Sequence, residues 1–486
     1  MIASLKPYPA MKDSGVPWLG RVPQHWEVRP VGGIGSLFKG NGGNKGDEVP
    51  AGIPCVRYGD LYTLHEFFIT KSKSYVSKER AGAYTPIHYG DILFAASGET
   101  DEDIGRSSVN LIEGEARCGG DVLVLRPEIP AVPRYLGYAG DSPASRWQKA
   151  SMGRGFTVVH IYGSQLKRLQ LPLPPLPEQS AIVRFLDHAD RRIRRYVRAK
   201  QKLVKLLEEQ KQAIIHRAVA RGLDPDVRLK PSGVEWLGDV PEHWEVLSFT
   251  RIAVERADYR GATPTKTESG IFLVTAKNVR KGWIDYEASK EFVAEKDYAT
   301  IMRRGLPKRD DLLLTMEAPL GHAALVDRED IALAQRIVRF RFDPNRLEAT
   351  FVLRSVLSPY FQNQLLRRGT GSTALGIKAS KLPQLQLLVP PLPEQRALLK
   401  WIDRECRPID VAAGQAESEI ALLREYRTRL IADVVTGKLD VREAAARLPQ
   451  EAEDLEPVDE TGVESEAQDA DAGDADAEDV PEEAEA

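Results

Sequence analysis

A stretch of sixteen residues occurs twice in this chain of 486 residues. Asp13-Ser-Gly-Val-Pro-Trp-Leu-Gly-Arg-Val-Pro-Gln-His-Trp-Glu-Val28 returns as Pro231-Ser-Gly-Val-Glu-Trp-Leu-Gly-Asp-Val-Pro-Glu-His-Trp-Glu-Val246, with twelve positions identical and an offset of 218. A second stretch, Pro174-Pro-Leu-Pro-Glu-Gln179, returns as Pro390-Pro-Leu-Pro-Glu-Gln395 at an offset of 216. Two separate motifs at nearly one offset make the chain a tandem duplication. The period is far too long for a solenoid, so each copy is a domain followed by its own second element.

That second element is a long helix. Pro fixes φ and biases its predecessor toward extended geometry, which stiffens the passage into each helix. Glu178 and Glu394 then fall in a first helical turn, where the helix dipole favours a carboxylate. Beyond Gln179, apolar residues recur at Ile182, Leu186, Ala189, Ile193, Tyr196, Leu203, Leu207 and Ile214, with Lys200 and Gln210 as interruptions. Beyond Gln395 the same steps pick out Leu398, Ile402, Ile409, Ala412, Ala416, Leu423, Tyr426 and Leu430, interrupted by Glu405 and Glu419. Alternating steps of four and three give the seam of a helix that pairs with another helix. Gly222 and Gly437 supply the C-terminal caps. Each helix spans roughly 60 Å at 1.5 Å per residue, with Pro408 and Gly414 as bending points in the second. Ordinary core helices are far shorter.

Between shared opening and helix the copies diverge. Ile53–Arg57 and Asp91–Phe94 in the first match Ile271–Thr275 and Asp311–Thr315 in the second. These are short β-rich runs bounded by Gly and Pro, as expected of a mixed domain. Gly153-Arg-Gly-Phe-Thr157 and Gly369-Thr-Gly-Ser-Thr373 lie in register, and each precedes a short amphipathic stretch.

The net charge of −4 hides an asymmetry. Residues 449–486 hold 17 Asp or Glu and no Lys or Arg, so the remaining body carries 67 basic against 54 acidic residues. A positive body favours a polyanionic partner. The Ala/Asp/Glu tail cannot bury a core and reads as disordered. Three widely spaced cysteines, Cys55, Cys118 and Cys406, fit neither a disulfide framework nor a zinc site and suit a reducing cytoplasm. No apolar run is long enough to span a membrane, and residues 1–12 lack the apolar centre of a secretory signal.

Sites for chemistry are hard to find. Gly40–Gly46 is glycine-rich, but Lys45 is followed by Gly rather than Ser or Thr, so it is not a phosphate loop. No fingerprint for a methyl-donor cofactor appears, and the eight His form no helical metal pair. Glu209 and Lys211 have a spacing seen in some nucleases, yet they lie within the long helix, where exposed charges are ordinary. His25 and His243 belong to the repeated openings and suit packing or hydrogen bonding there. Two diverged domains on a repeated frame look like two binding heads on a ruler.

Over residues 1–445 the chain resembles the specificity subunit of type I restriction-modification enzymes. The resemblance rests on the doubled Trp-Leu-Gly…Val-Pro…His-Trp opening, the doubled Pro-Pro-Leu-Pro-Glu-Gln start of a long helix, and the duplication itself. It implies an α+β fold, with two pseudo-repeated mixed α/β target-recognition domains joined by two long antiparallel coiled-coil helices. The expected segments are a first recognition head at 13–173, a central helix at 174–222, a second head at 231–389, a distal helix at 390–437 and an acidic tail at 449–486. Each head would read one half of a split double-stranded DNA sequence, and the coiled coil would set the gap. The chain itself would be non-catalytic. It would carry DNA methyltransferase (modification) subunits that use S-adenosylmethionine, and restriction/translocase subunits that use ATP and Mg2+. A pseudo-twofold relation between the copies would run the helices antiparallel and suit half-sites about one DNA turn apart.

Candidate DNA contacts in the first head are Lys39, Asn41, Asn44, Lys45, Arg57, Arg106 and Arg154. In the second they are Thr263, Lys266, Lys277, Asn278, Arg280 and Lys378. Gly261-Ala-Thr-Pro-Thr-Lys266 resembles a Gly-Thr-Pro loop of the family, from which Gly40-Asn-Gly-Gly-Asn44 departs. Two other readings compete. A coiled-coil scaffold for protein partners predicts salt-insensitive binding. A stand-alone methyltransferase or nuclease fusion needs a cofactor fingerprint.

Overall fold

A computed structural model describes residues 5–43, 45–98, 100, 103–153, 159–234, 237–259, 263–371 and 375–449. The expected disorder of the tail concerns residues 450–486, which lie outside these. The chain divides into two compact units. One comprises the chain up to Arg198 and from Ile420 onward, and the other is Ala199–Glu419. Two long helices, Leu176–Arg221 and Leu392–Val435, each contribute to both units. They are 46 and 44 residues long, or about 65–70 Å. The second runs unbroken through Pro408 and Gly414.

In the first unit Asp190 and Glu66 both bind Arg427, and Glu178 meets Arg442 at 3.3 Å. In the second unit Lys211 pairs with Asp410 at 2.6 Å and Lys200 with Glu419 at 2.7 Å. In the second unit a step forward along one helix matches a step back along the other, and in the first unit Glu178 near one helix's start meets Arg442 just past the other's end, so the helices pack antiparallel. Ile182, Phe185 and Leu186 share a core with Leu430, Ile431 and Val434. Ile215, Ala218 and Val219 share another with Leu398, Ile402 and Cys406.

Of the sixteen expected seam positions eight are buried, three are partly buried and five give way to the next residue. Ile193, Ile402, Ile409, Ala416 and Leu430 are buried as the periodicity requires. Tyr196 is 54% exposed and Leu203 41% exposed, whereas Val197 and Val204 turn inward. On the second helix Ile420 and Arg427 replace Glu419 and Tyr426 in the more buried alternate positions. A pattern of fours and threes fits either neighbour at these places, and only the partner helix decides between them. Lys200 and Glu419, two apparent interruptions, form an ion pair with each other. Lys211 is held by Asp410, so its spacing to the exposed Glu209 reflects helix pairing.

The two repeated motifs meet. Glu178 accepts hydrogen bonds from Trp26 Nε1 at 2.8 Å and Tyr8 Oη at 3.2 Å, and contacts His25 Nε2 at 2.7 Å. In the second unit Glu394 accepts from Trp244 Nε1 at 3.0 Å and contacts His243 Nε2 at 2.8 Å. Both indoles are fully buried. Gln179 accepts from Val132 N and Gln395 from Glu348 N, tying each helix start to its head. Strand Glu27–Pro30 pairs with Gln170–Leu173, and Glu245–Ser248 with Gln386–Val389, both antiparallel. Gly222 and Gly437 cap the helices at φ near +70°, which glycine adopts without penalty. A β-carbon at either would also crowd the nearby tryptophan, Trp244 or Trp26. Each joint therefore combines the end of one long helix, the start of the other and one His-Trp pair.

The joints are unequal. Glu178 is 10% exposed and also faces Arg442, whereas Glu394 is 29% exposed and has only the His-Trp pair among its described partners. Glu178→Ala leaves Trp26, Tyr8 and Arg442 without their acceptor and is expected to destabilise the first unit by about 3 kcal/mol. Glu394→Ala should cost the second unit about 1 kcal/mol. Denaturant unfolding of the two variants checks the difference, and equal losses would contradict it.

Among the described residues each head is built on two larger sheets, with two-stranded pairings beside them. The first head has a five-stranded sheet in the order Gly35–Lys39, Val122–Pro127, Ile92–Ala95, Ser107–Asn110, Phe67–Ile69. Its second five-stranded sheet includes Ile53–Val56 and Ala116–Cys118. The second head has two four-stranded sheets, one containing Leu312–Thr315 and the other Ile271–Val274. The four β-rich runs read from the sequence thus form central strands. Short helices pack on the larger sheets through Tyr135, Leu136 and Tyr138 in one head and Phe351, Val352 and Phe361 in the other. Beneath the first head's helices, fully buried Lys149 lies 3.0 Å from the Asp141 carboxylate, which Arg146 and Arg106 also approach.

Candidate nucleic-acid interface

The heads share strand positions but differ in the side chains they present. Ser97 and His160 pair between two short strands in the first head, with Ser97 Oγ 2.9 Å from His160 Nδ1. They line a cleft of about 430 Å³ with Lys39, Asp121, Phe38 and Tyr162. Tyr162 is 59% exposed, and Lys39 lies 3.6 Å from Asp121. In the second head the matching bridge joins Glu317 and Gly376. There Glu317 is paired with Arg336 at 3.2 Å, and Lys378 is exposed two residues further on. One frame position thus offers an imidazole, a hydroxyl and a phenol in one head, and a carboxylate, a guanidinium and an ammonium in the other.

A second shared position lies after the strands Ile53–Val56 and Ile271–Val274. Asp60 accepts a hydrogen bond from Arg57 N at 3.0 Å, and Asn278 accepts one from Thr275 N at 2.9 Å. From the same turn the first head continues as the short helix Tyr58–Thr63, and the second as a bridged turn pairing Val279 with Ile284.

The candidate contact residues separate accordingly. Lys39, Asn41, Thr263, Lys266, Lys277, Arg280 and Lys378 are exposed. Lys39 belongs to the cleft, and Lys266 lies on an edge strand of the sheet that carries Lys277 and Arg280 on its connecting turn. Lys266 pairs with Glu291 at 3.1 Å and Arg280 with Asp285 at 3.4 Å. Arg57 and Arg106 are largely buried, each facing a carboxylate, Glu48 at 3.4 Å and Asp141 at 3.5 Å. Asn278 is fully buried. Its amide donates to the Asp285 and Ser289 carbonyls and accepts from Thr275 N and Oγ1. That amide is committed to the turn, because four neighbours already use its hydrogen-bonding capacity. Asn44, the side chain of Lys45, and Arg154 lie outside the described residues, as do positions 261 and 262 of the Gly-Thr-Pro-like loop, 155–157 of the first glycine-rich run and 372–373 of the second.

Sequence reasoning missed His160, Tyr162 and Trp283. The first two follow the Gly153–Thr157 loop without charge or periodicity to mark them. Trp283, 57% exposed, sits two residues from Lys281, and an aromatic residue amid cations was the available signal. Among the described residues no group of three or more His, Cys, Asp or Glu is placed to hold a metal ion. No described helix is long and apolar enough to cross a membrane.

Comparison with known proteins agrees with this architecture. Residues 23–204 match the family model for the type I restriction modification DNA specificity domain. The MjaVIII type I restriction enzyme specificity subunit of Methanocaldococcus jannaschii is 23% identical over 435 residues, covering 87% of this chain and 95% of that one. The EcoKI specificity subunit of Escherichia coli is 21% identical over 433 residues, covering 86% and 90%. A chain from a solved structure of type I R-M complex assembly has the same fold at a TM-score of 0.59 and 16% identity, covering 86% of this chain and 99% of that one.

Proposed function

We infer that this chain, which belongs to the type I restriction-modification specificity-subunit family, reads a bipartite DNA target with one head for each half. It is the DNA specificity subunit of such a system and its non-catalytic recognition component. The recognition domains are residues 13–173 and 231–389, and the helical segments 174–222 and 390–437 fix the number of unspecified base pairs between the half-targets. The observation that carries this reading is the contrast at one frame position, Ser97, His160 and Tyr162 in one head against Glu317, Arg336 and Lys378 in the other. Base edges are distinguished by donor and acceptor pattern, so unlike side chains on a repeated frame suit two different half-targets.

Lys39, Asn41, Thr263, Lys266, Lys277, Arg280 and Lys378 are the proposed contact residues. The lysines and arginine bind phosphate for the most part, since half to two-thirds of contacts in such interfaces go to phosphate and sugar. Arg57, Arg106 and Asn278 act from beneath by holding loops in place. Methyltransferase subunits dock on the long helices. Tyr196, Leu203 and Leu206 are exposed on the first, as are Val411 and Leu422 on the second. An apolar stripe outside the mutual seam is what a further packed helix requires. S-adenosylmethionine, ATP and Mg2+ serve the methyltransferase and restriction/translocase subunits, and the complex works in the cytoplasm.

A band-shift assay of the chain with its methylating partner tests the reading. One duplex with two short specified blocks should bind at least about a thousandfold more tightly than random DNA, and affinity should fall steeply as salt rises. Equal binding to all sequences, or binding insensitive to salt, would favour a protein scaffold.

A further inference from the structure

We propose that the turn Lys277–Trp283 of the second head is a groove-entering finger, with Trp283 packed against a base step and Lys277 and Lys281 on the flanking phosphates. This inference rests on the DNA-recognition reading and names a specificity-determining residue within it. Lys277, Arg280, Lys281 and Trp283 are all exposed, and no carboxylate occurs between residues 277 and 283. An exposed indole offers a large flat face that a partner can cover, and tryptophan is enriched at interfaces for that reason. Three cations beside it select a polyanion, and apolar wedges between phosphate contacts are a recurring way of gripping a duplex groove.

The turn is braced as a wedge must be. Arg280 N donates to Trp283 O at 2.9 Å, and Asp285 N to Asn278 O at 2.8 Å. Gly282 N donates to Ala323 O at 2.8 Å, anchoring the tip to the neighbouring sheet. The buried Asn278 amide joins Thr275 to the Asp285 and Ser289 carbonyls. His322 Nδ1 lies 3.0 Å from Val279 O. Asp285 faces Arg280 at 3.4 Å, leaving Lys277 and Lys281 as the cations free of that pair at the tip. In the first head the same turn becomes the helix Tyr58–Thr63, so the finger is a property of the second half-target alone.

The test uses the full chain assembled with its methylating partner, on duplexes carrying the bipartite motif and on single-base variants of each block. Trp283→Ala should lower affinity for the intact motif at least about tenfold. It should also flatten discrimination within the block read by the second head and leave the other block's discrimination unchanged. Trp283→Phe should recover most of the loss. Lys277→Ala with Lys281→Ala should weaken specific and random DNA alike and reduce the salt slope by about two. The melting temperature of Trp283→Ala should match the wild type, because the ring is mostly exposed. Wild-type affinity and discrimination in Trp283→Ala would overturn the finger while leaving the recognition reading intact. A wild-type complex with no preferred duplex would overturn both.

Discussion

Seven residues added to the first long helix beside Lys200, together with seven added to the second beside Glu419, are expected to lengthen the unspecified gap in the DNA target by about three base pairs. Both specified blocks should stay the same. Seven residues add about 10 Å of helix, close to three steps of duplex at 3.4 Å each. A full heptad on both strands of the pair preserves the seam. The Lys200–Glu419 and Lys211–Asp410 pairings mark where matched insertion keeps partners in register. Affinity for the parental target should fall by two or more orders of magnitude, because each mismatched base pair costs about 1–3 kcal/mol. Binding to duplexes with graded gaps measures the shift. An unchanged optimum would separate helix length from gap length and remove the ruler from the account.

The second large effect concerns stability. Asp141→Asn is expected to destabilise the first head by about 3–5 kcal/mol, since it strips the counter-charge from a fully buried ammonium. Asp141 is shared by Lys149, Arg146 and Arg106. Burial works against its ionised form, but these cations hold its carboxyl below the usual carboxylate range. Lys149 shows the opposite balance. Burial pulls its pKa down to about 8 despite the attraction of Asp141, because that carboxylate is divided among three cations. The folded lysine therefore loses its proton before the unfolded one, whose value is 10.5. Between about pH 8 and 10.5 the unfolded chain binds more protons, so this group makes stability rise with pH across that window. Lys149→Met should abolish that rise while costing far less than Asp141→Asn, since two arginines still serve Asp141. Urea unfolding at pH 7.5 and 10 measures both effects. A mild Asp141→Asn, or an unchanged pH slope in Lys149→Met, would contradict this assignment.

Much of the frame was legible because it is written twice. The two His-Trp pairs and the two Pro-Glu-Gln helix starts stand out by repetition, and they meet through Glu178 and Glu394. The glycine caps were equally readable, since Gly222 and Gly437 follow long periodic runs. The seam was legible only to within one residue, because Tyr196 and Val197 fit the same steps and the partner helix chooses Val197. The heads were the least legible part. Their strands came through as short apolar runs, and Lys39, Lys266, Lys277, Arg280 and Lys378 do face solvent, but not every charged residue chosen there does. Arg57 and Arg106 look like ready DNA contacts in sequence, yet they lie largely buried against Glu48 and Asp141, carboxylates that the sheets bring to them. Asn278 is similar, its amide consumed by backbone groups that no spacing rule identifies. Local sequence reports charge; burial depends on long-range pairing.

The most direct measurement is sequencing of modified bases in DNA from cells that express this chain with its methylating partner. One modified motif is expected, made of two short specified blocks separated by a gap of constant length. Exchange of residues 231–389 for another head should rewrite one block and leave the other and the gap unchanged. A single continuous motif, a gap of variable length, or both blocks changing together would contradict it.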